Sequence, residues 1–260
     1  MGTPSRATGS AVARTMCIIE AVSKADRPLS PADLACLLEI PKPSIHRLLN
    51  QLQSDRFLQT NLRGMIVPGE RMLGVAWGVL HNQRFGAVRR AILERLTRKI
   101  GETCGIAIPK GSQMVYYDRV QSNWPLQLNL TIGSNTPAWC TASGKLYLSS
   151  LPKQRREKIL QHLPLQRYAR NTIADPTQLE AELIAIRQRK MATDNEEFVD
   201  GMVGCAVPIT DRQRRLCGCL FIHAPLVRKS LDDLIGQAVL LRDAASKLGS
   251  SLDQSENYTG

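Results

Sequence analysis

A chain of 260 residues, 43% hydrophobic and 22% charged, is long enough for two modest domains and too apolar to be disordered throughout. Lys and Arg outnumber Asp and Glu by 34 to 23, so the formal charge is +11, which suits an acidic partner without identifying one. No apolar run approaches the roughly 18 residues of a membrane-spanning helix, and the opening MGTPSRATGS lacks the apolar centre of a signal peptide, so no membrane partner and a cytoplasmic location are expected.

In chain order, a polar tip (1–10) precedes a helix expected over 11–25, with Val12, Met16, Ile19 and Val22 or Ser23 along one face. In PLSPADLACLL, Ser30 suits an N-cap, Pro31 the first helical position and Asp33 the first turn, while Leu34, Leu37 and Leu38 form the apolar face. Pro41 ends that helix by pushing the residue before it out of helical geometry. A third helix is expected over 43–54, where Ile45, Leu48, Leu49 and Leu52 recur at i, i+3, i+4 and i+7. Two short strands, 57–60 and 65–67, then flank the tip Asn61-Leu62-Arg63-Gly64 and complete a first domain over 11–69. Residues 70–100 read as one helical stretch, from the spacing of Met72, Leu73, Trp77, Leu80, Val88, Ile92 and Leu96, with Gly86 as a candidate kink. Beyond it, strands (105–109, 114–120, 126–132, 206–210, 216–223) alternate irregularly with helices (143–151, 153–162, 177–190, 231–251), an α+β pattern over 101–251 before a polar tail, 252–260.

The apolar stripe of the third helix leaves Lys42, Ser44, His46, Arg47, Asn50, Gln51 and Ser54 toward solvent, and no acid occurs between Glu39 and Asp55. Arg can bridge guanine O6 and N7, Asn or Gln can pair with adenine, and Lys and Ser meet phosphates. Arg63, at the tip of the strand pair, is placed as a wing residue against the backbone or minor groove of a duplex. Three helices, a wing and an acid-free face read as a module for double-stranded DNA rather than as a merely solvated helical domain. Bulk charge adds little, since its excess concentrates in 71–99, with seven Lys/Arg against one Asp/Glu.

The segment LSPADLACLLEIPKPSIHRLLNQLQSDRFLQ resembles the winged helix-turn-helix of the IclR family of bacterial transcriptional regulators. The likeness continues through IGETCGIAIPKGSQMVYYDRVQS, IGSNTPAWCTASGKLYLSSL and MATDNEEFVDGMVGCAVPITDRQRRLCGCLFIHAP. It rests on P-K-x-S-x-x-R-L-L, T/S-x-x-G-K and D-x-E-E-F taken together. The resemblance implies an α+β protein: an N-terminal winged helix-turn-helix, a linker helix, and a C-terminal GAF-like domain with a mostly antiparallel sheet that binds an organic-acid or aromatic effector. It further implies a homodimer or dimer of dimers on a palindromic promoter operator, with no enzyme activity and no cofactor. The chain departs from the family at Pro43, where Ser or Thr is frequent, and at Met65-Ile66, where a Tyr is usual. Phe221 and His223 stand where the family's pocket strand carries two serines.

Effector contacts are expected at Leu128, Trp139, Thr141, Ala142, Ser143, Asp194, Phe221 and His223. Leu128 and Asp194 match the cavity cap and pocket acid of the family, and 139–143 offer amides and hydroxyls at a helix start. Strand alternation puts Cys217, Cys219, Phe221 and His223 on one face. His223 is expected to titrate near physiological pH and to meet a carboxylate, and Phe beside His suggests a hydroxylated aromatic or branched acid. The competing reading is a DNA-binding module fused to a catalytic site (Cys140, His223, Asp194) or a metal site (Cys217, Cys219, His223). Against it stand the absence of G-x-S-x-G and C-x-x-C and the isolation of the seven cysteines in apolar segments, where small buried hydrophobes are the simpler reading.

Overall fold

The computed structural model describes residues 10–25, 27–81, 83–125 and 130–253. The chain divides into two compact units between Gly86 and Ala87. The first begins with α1 (Ala11–Lys24), α2 (Pro31–Leu38) and α3 (Lys42–Ser54), continues with β1 (Leu58–Thr60) paired antiparallel to β2 (Ile66–Pro68), and ends on α4 (Glu70–His81). Ser10 caps α1, and Ser30 and Asp33 close a reciprocal capping box on α2 with Pro31 at its first position. Glu39 turns the chain out of α2 in a left-handed conformation, φ 53°, and so separates α2 from α3. Ile18, Leu34, Ile45, Leu49, Leu52, Leu58 and Ile66 form the core of this unit.

Two expected faces are corrected. In α1 the buried residues are Ile18 and Val22, whereas Val12 and Met16 are exposed, because only the helix from Cys17 onward packs against the core. In α2, Leu34 and Leu38 are buried but Leu37 is 48% exposed. An eight-residue helix on a small core has room for two inward leucines.

The second unit begins within α5 (Gln83–Ile100), so the expected single stretch 70–100 is described as α4 and α5, with Gly86 inside α5 rather than at a break. Its sheet comprises β3 (Thr103–Lys110), β4 (Gln113–Val120), β5 (Asn135–Pro137), β6 (Ala192–Asn195), β7 (Met202–Thr210) and β8 (Leu216–Pro225), in the order β5-β4-β3-β8-β7-β6. Every pairing is antiparallel. On one face lie α6 (Ala142–Ser150), α7 (Lys153–Leu160) and α8 (Pro176–Arg189), whose apolar residues share a core with Ala107, Tyr116, Ala206, Cys219 and Phe221. The remaining helices are α9 (Leu231–Gly236) and α10 (Ala238–Asp253), both packed on β7.

The helix expected over 231–251 is thus divided at Gln237, and Ser230 and Asp233 close a reciprocal capping box at the start of α9. Of the strand expected over 126–132, residues 126–129, with Leu128, lie outside the described residues. Residues 130–132 are not strand, since Thr131–Ser134 make a turn around Gly133, and the sheet edge is β5. Among the described residues no helix is long and apolar enough to cross a membrane.

Candidate functional site

On α3 the inward stripe is Ile45, Leu48, Leu49 and Leu52, as the spacing requires. Lys42, His46, Arg47, Asn50 and Gln51 are exposed, Ser44 is half-buried, and Arg63 is exposed at the wing tip. Pro41 supplies no side-chain cap, so its carbonyl alone gathers the Ser44 and Ile45 N–H groups. Gln51 is not idle in the fold: its amide donates to Asp55 Oδ2 at 3.0 Å. The result is one exposed helix face carrying donors and acceptors, beside a two-stranded wing.

The sheet of the second unit holds a hollow, and its cause is visible in the register. Asp194 on β6 pairs with Gly204 on β7, and Gly204 pairs with His223 on β8. Gly204 offers no side chain between the carboxyl and the imidazole, and a Cβ there would lie 3.8 Å from that of Asp194 and 3.5 Å from that of His223. One pair further along, Phe221 faces Ala206 on one side and Gly105 on the other, where any Cβ would come within 2.5 Å of its ring. Small residues on β3 and β7 thus make room for the large ones on β8. The hollow encloses about 410 Å³ of space including its mouth. Its lining includes Tyr116, Thr141, Ala142, Ser143, Asp194, Phe198, Met202, Phe221 and His223.

Six of the eight effector contacts anticipated from sequence line the hollow: Thr141, Ala142, Ser143, Asp194, Phe221 and His223. His223 does not titrate near neutrality. Burial and the nearby Arg119 guanidinium push its pKa down to about 3, so the ring is neutral. Arg119 Nη2 lies 3.4 Å from His223 Nε2, and a guanidinium can only donate, so Nε2 accepts and the proton sits on Nδ1. Asp194 is the group that titrates near neutrality: burial first, then the Glu197 carboxylate, push its pKa up to about 7. The Thr141 hydroxyl is spent on the fold, donating to the Pro137 carbonyl and accepting from Gly144 N–H as the N-cap of α6. Trp139 does not line the hollow. It is buried in the core, donates to the Gln166 carbonyl at 3.1 Å and packs against Tyr168.

Several participants were not anticipated. Tyr116 stacks on Phe221 with centroids 4.7 Å apart, and Phe221 stacks on His223 at 5.6 Å. Lys145, 1% exposed, binds both oxygens of Glu197 at 2.6 and 2.7 Å, which ties the start of α6 to the turn that follows Asp194 and β6. The G-K and D-x-E-E-F motifs are therefore two halves of one buried ion pair. The glycine inside MVGCAV was a usable signal, since an interior strand glycine marks a place where something approaches closely.

Among the described residues no three His, Cys, Asp or Glu side chains converge as a metal site. Cys217 is exposed, whereas the Cys219 thiol is buried against the Ser143 carbonyl at 3.3 Å. Burial pushes the Cys140 thiol upward, away from the thiolate a nucleophile requires.

A winged-helix unit followed by an α+β unit with a pocket in its antiparallel sheet is the architecture of a DNA-binding transcriptional regulator. Residues 11–62 match the IclR helix-turn-helix domain, and residues 77–250 match the family described as bacterial transcriptional regulator IclR C-terminal. The chain belongs to the IclR family. It is 37% identical to "Probable transcriptional regulator SauR" of Cupriavidus necator over 242 residues, 93% of this chain and 96% of that one. It is 26% identical to the Agobacterium tumefaciens repressor BlcR, whose crystal structure aligns with a TM-score of 0.59 over 94% of this chain and 98% of that one. An IclR homologue from Microbacterium hydrocarbonoxydans, crystallised with 4-hydroxybenzoate, shares the fold at 20% identity, with a TM-score of 0.60 over 94% of this chain and 100% of the other.

Proposed function

We propose that this regulator's affinity for its operator is set by a small organic acid held in the sheet hollow of the second unit. The row Asp194–Gly204–His223 at the first turn of α6 carries this reading. His223 offers an Nδ1–H donor, Ser143 a hydroxyl, and the positive end of α6 favours an anion. Asp194, protonated about half the time near pH 7, can donate to such a ligand rather than repel it. The tight room around Phe221 favours a small acid over the hydroxylated aromatic that Phe beside His suggests, even though one relative of the same fold was crystallised with 4-hydroxybenzoate. A thermal-shift series with glyoxylate, pyruvate and 4-hydroxybenzoate tests this. The small acids should raise the melting temperature and the aromatic acid should not. Gly204→Val, which fills the hollow, should abolish the shift. The opposite order would overturn the size argument, and shifts that survive Gly204→Val would place the ligand elsewhere.

On DNA, Arg47, Asn50 and Gln51 read base edges in the major groove, while Lys42, Ser44, His46 and Arg63 hold the sugar–phosphate backbone. Their exposure on one acid-free helix face and on the wing supports the assignment. Residues 11–69 form the DNA-binding domain, 70–100 the linker and 101–251 the effector domain, acting in the cytoplasm as a homodimer or dimer of dimers on a palindromic operator. Arg47→Ala should cost about 1–3 kcal/mol of operator affinity at matched salt and relax preference at one base pair. Unchanged affinity would rule out that placement.

A further inference from the structure

We propose that Leu62, at the tip of the wing, enters the minor groove of duplex DNA as an apolar wedge beside Arg63. This rests on the DNA-binding reading and adds a contact to it. Leu62 is 108% exposed, the most exposed large hydrophobic among the described residues. It does not wave at the end of a loose loop. Asn61 N–H donates to the Met65 carbonyl and Gly64 N–H to the Asn61 carbonyl, both at 2.9 Å. The Asn61 side-chain oxygen accepts from the Arg63 and Met65 N–H groups at 2.9 and 3.1 Å. Gly64 closes the turn at φ +72°, a conformation that strains any residue with a Cβ. The tip is therefore built before any partner arrives, and little conformational entropy remains to be lost on docking.

The wing is also fastened to the recognition helix. Gln53 of α3 donates to the Thr60 hydroxyl of β1 at 2.5 Å, and Leu29 and Ile66 exchange two backbone hydrogen bonds across the base of the wing. A contact made by α3 in the major groove thus carries the tip to a fixed place on the same duplex.

Charge selects the partner. No acid occurs in 56–69, and Arg56 and Arg63 bracket the wing's first strand and tip, so the surface around Leu62 suits a polyanion and not an acidic or generic apolar protein patch. On a duplex, a leucine finds nothing favourable at a phosphate. The apolar surfaces lie between the sugar walls of the minor groove and between base steps, where leucine wedges are used. Arg63 beside the wedge supplies the cation for the phosphates that flank that groove.

The test compares wild type, Leu62→Ala and Arg63→Ala on a mixed-sequence duplex and on the same duplex with inosine for every guanine. Inosine removes the guanine amino group from the minor groove and leaves the major-groove pattern intact. Wild type should bind the inosine duplex more tightly. Leu62→Ala should lose about fivefold in affinity on it, lose the inosine preference, and keep the salt dependence and melting temperature of wild type. Arg63→Ala should instead flatten the slope of log affinity against log salt by about 0.9. Equal affinities for wild type and Leu62→Ala, or a loss identical on both duplexes, would overturn the wedge and leave DNA binding standing. A wild type that binds neither duplex would overturn the DNA-binding reading itself.

Discussion

Asp194 and His223 sit two strands apart in one hydrogen-bonded row and are perturbed in opposite senses. The carboxyl is raised from 3.8 to about 7, so its contribution to stability is full below pH 3.8 and is lost as pH climbs through 7. The imidazole is lowered from 6.5 to about 3, so its contribution is full above pH 6.5 and is lost as pH falls toward 3. Between about pH 4 and 6.5 the two slopes oppose each other. Asp194→Asn should therefore make stability fall more steeply on acidification, and His223→Gln should make it rise from pH 7 to pH 4; urea midpoints across that range read both. Parallel slopes in the two variants would show that the groups are not perturbed in this way. Lys145 is a second residue-scale test, because it is wholly buried on Glu197. Lys145→Met leaves a buried carboxylate unpaired and should cost about 3–5 kcal/mol, and adding Glu197→Gln should recover part of that loss. The residue types were legible in the chain, but the protonation states were not, since each depends on burial by segments remote in sequence.

At the scale of elements, β4 connects the two faces of the sheet. Asp118 turns toward α5, where Arg89 Nε reaches it at 2.7 Å, and Arg89 also donates to the Tyr117 hydroxyl at 2.7 Å while its guanidinium lies 4.4 Å from that ring's centre. The next residue, Arg119, turns the other way, to His223 and the Leu130 carbonyl. One strand thus clamps a helix on one side and steadies the pocket imidazole on the other. Asp118→Asn should destabilise the second unit by about 3 kcal/mol and lower amide protection along α5, as hydrogen exchange would show. Protection unchanged over 83–100 would mean that apolar packing of Leu93 and Leu96 alone seats the helix. The helices themselves were readable from periodicity and, for α2, from the Ser30 cap. The three-residue β5 and the four-residue β6 were not, because strands that short and polar are defined by the neighbour they pair with rather than by their own pattern.

For the whole molecule, a single winged helix covers too little DNA for tight, specific binding, and two-fold assembly on two half-sites is the economical solution. Val12 and Met16, left exposed on α1, are apolar side chains available to such an assembly. Light scattering at micromolar concentration should return a mass at least twice 28.8 kDa. A value equal to 28.8 kDa would exclude the dimer.

The sequence by itself determined what depends on neighbours along the chain. It specified three helices, the inward stripe of α3 and with it an outward polar face, and the turn of the wing, because helical period and turn chemistry act over a few residues. Tertiary structure alone decided the pocket. Its partners are joined across 52 residues between Lys145 and Glu197 and across 104 between Arg119 and His223. Whether His223 is charged, whether Trp139 lines the cavity or fills the core, and whether Gly204 is an empty place or a packed one are settled by strand register and burial. Neither is written in the local pattern.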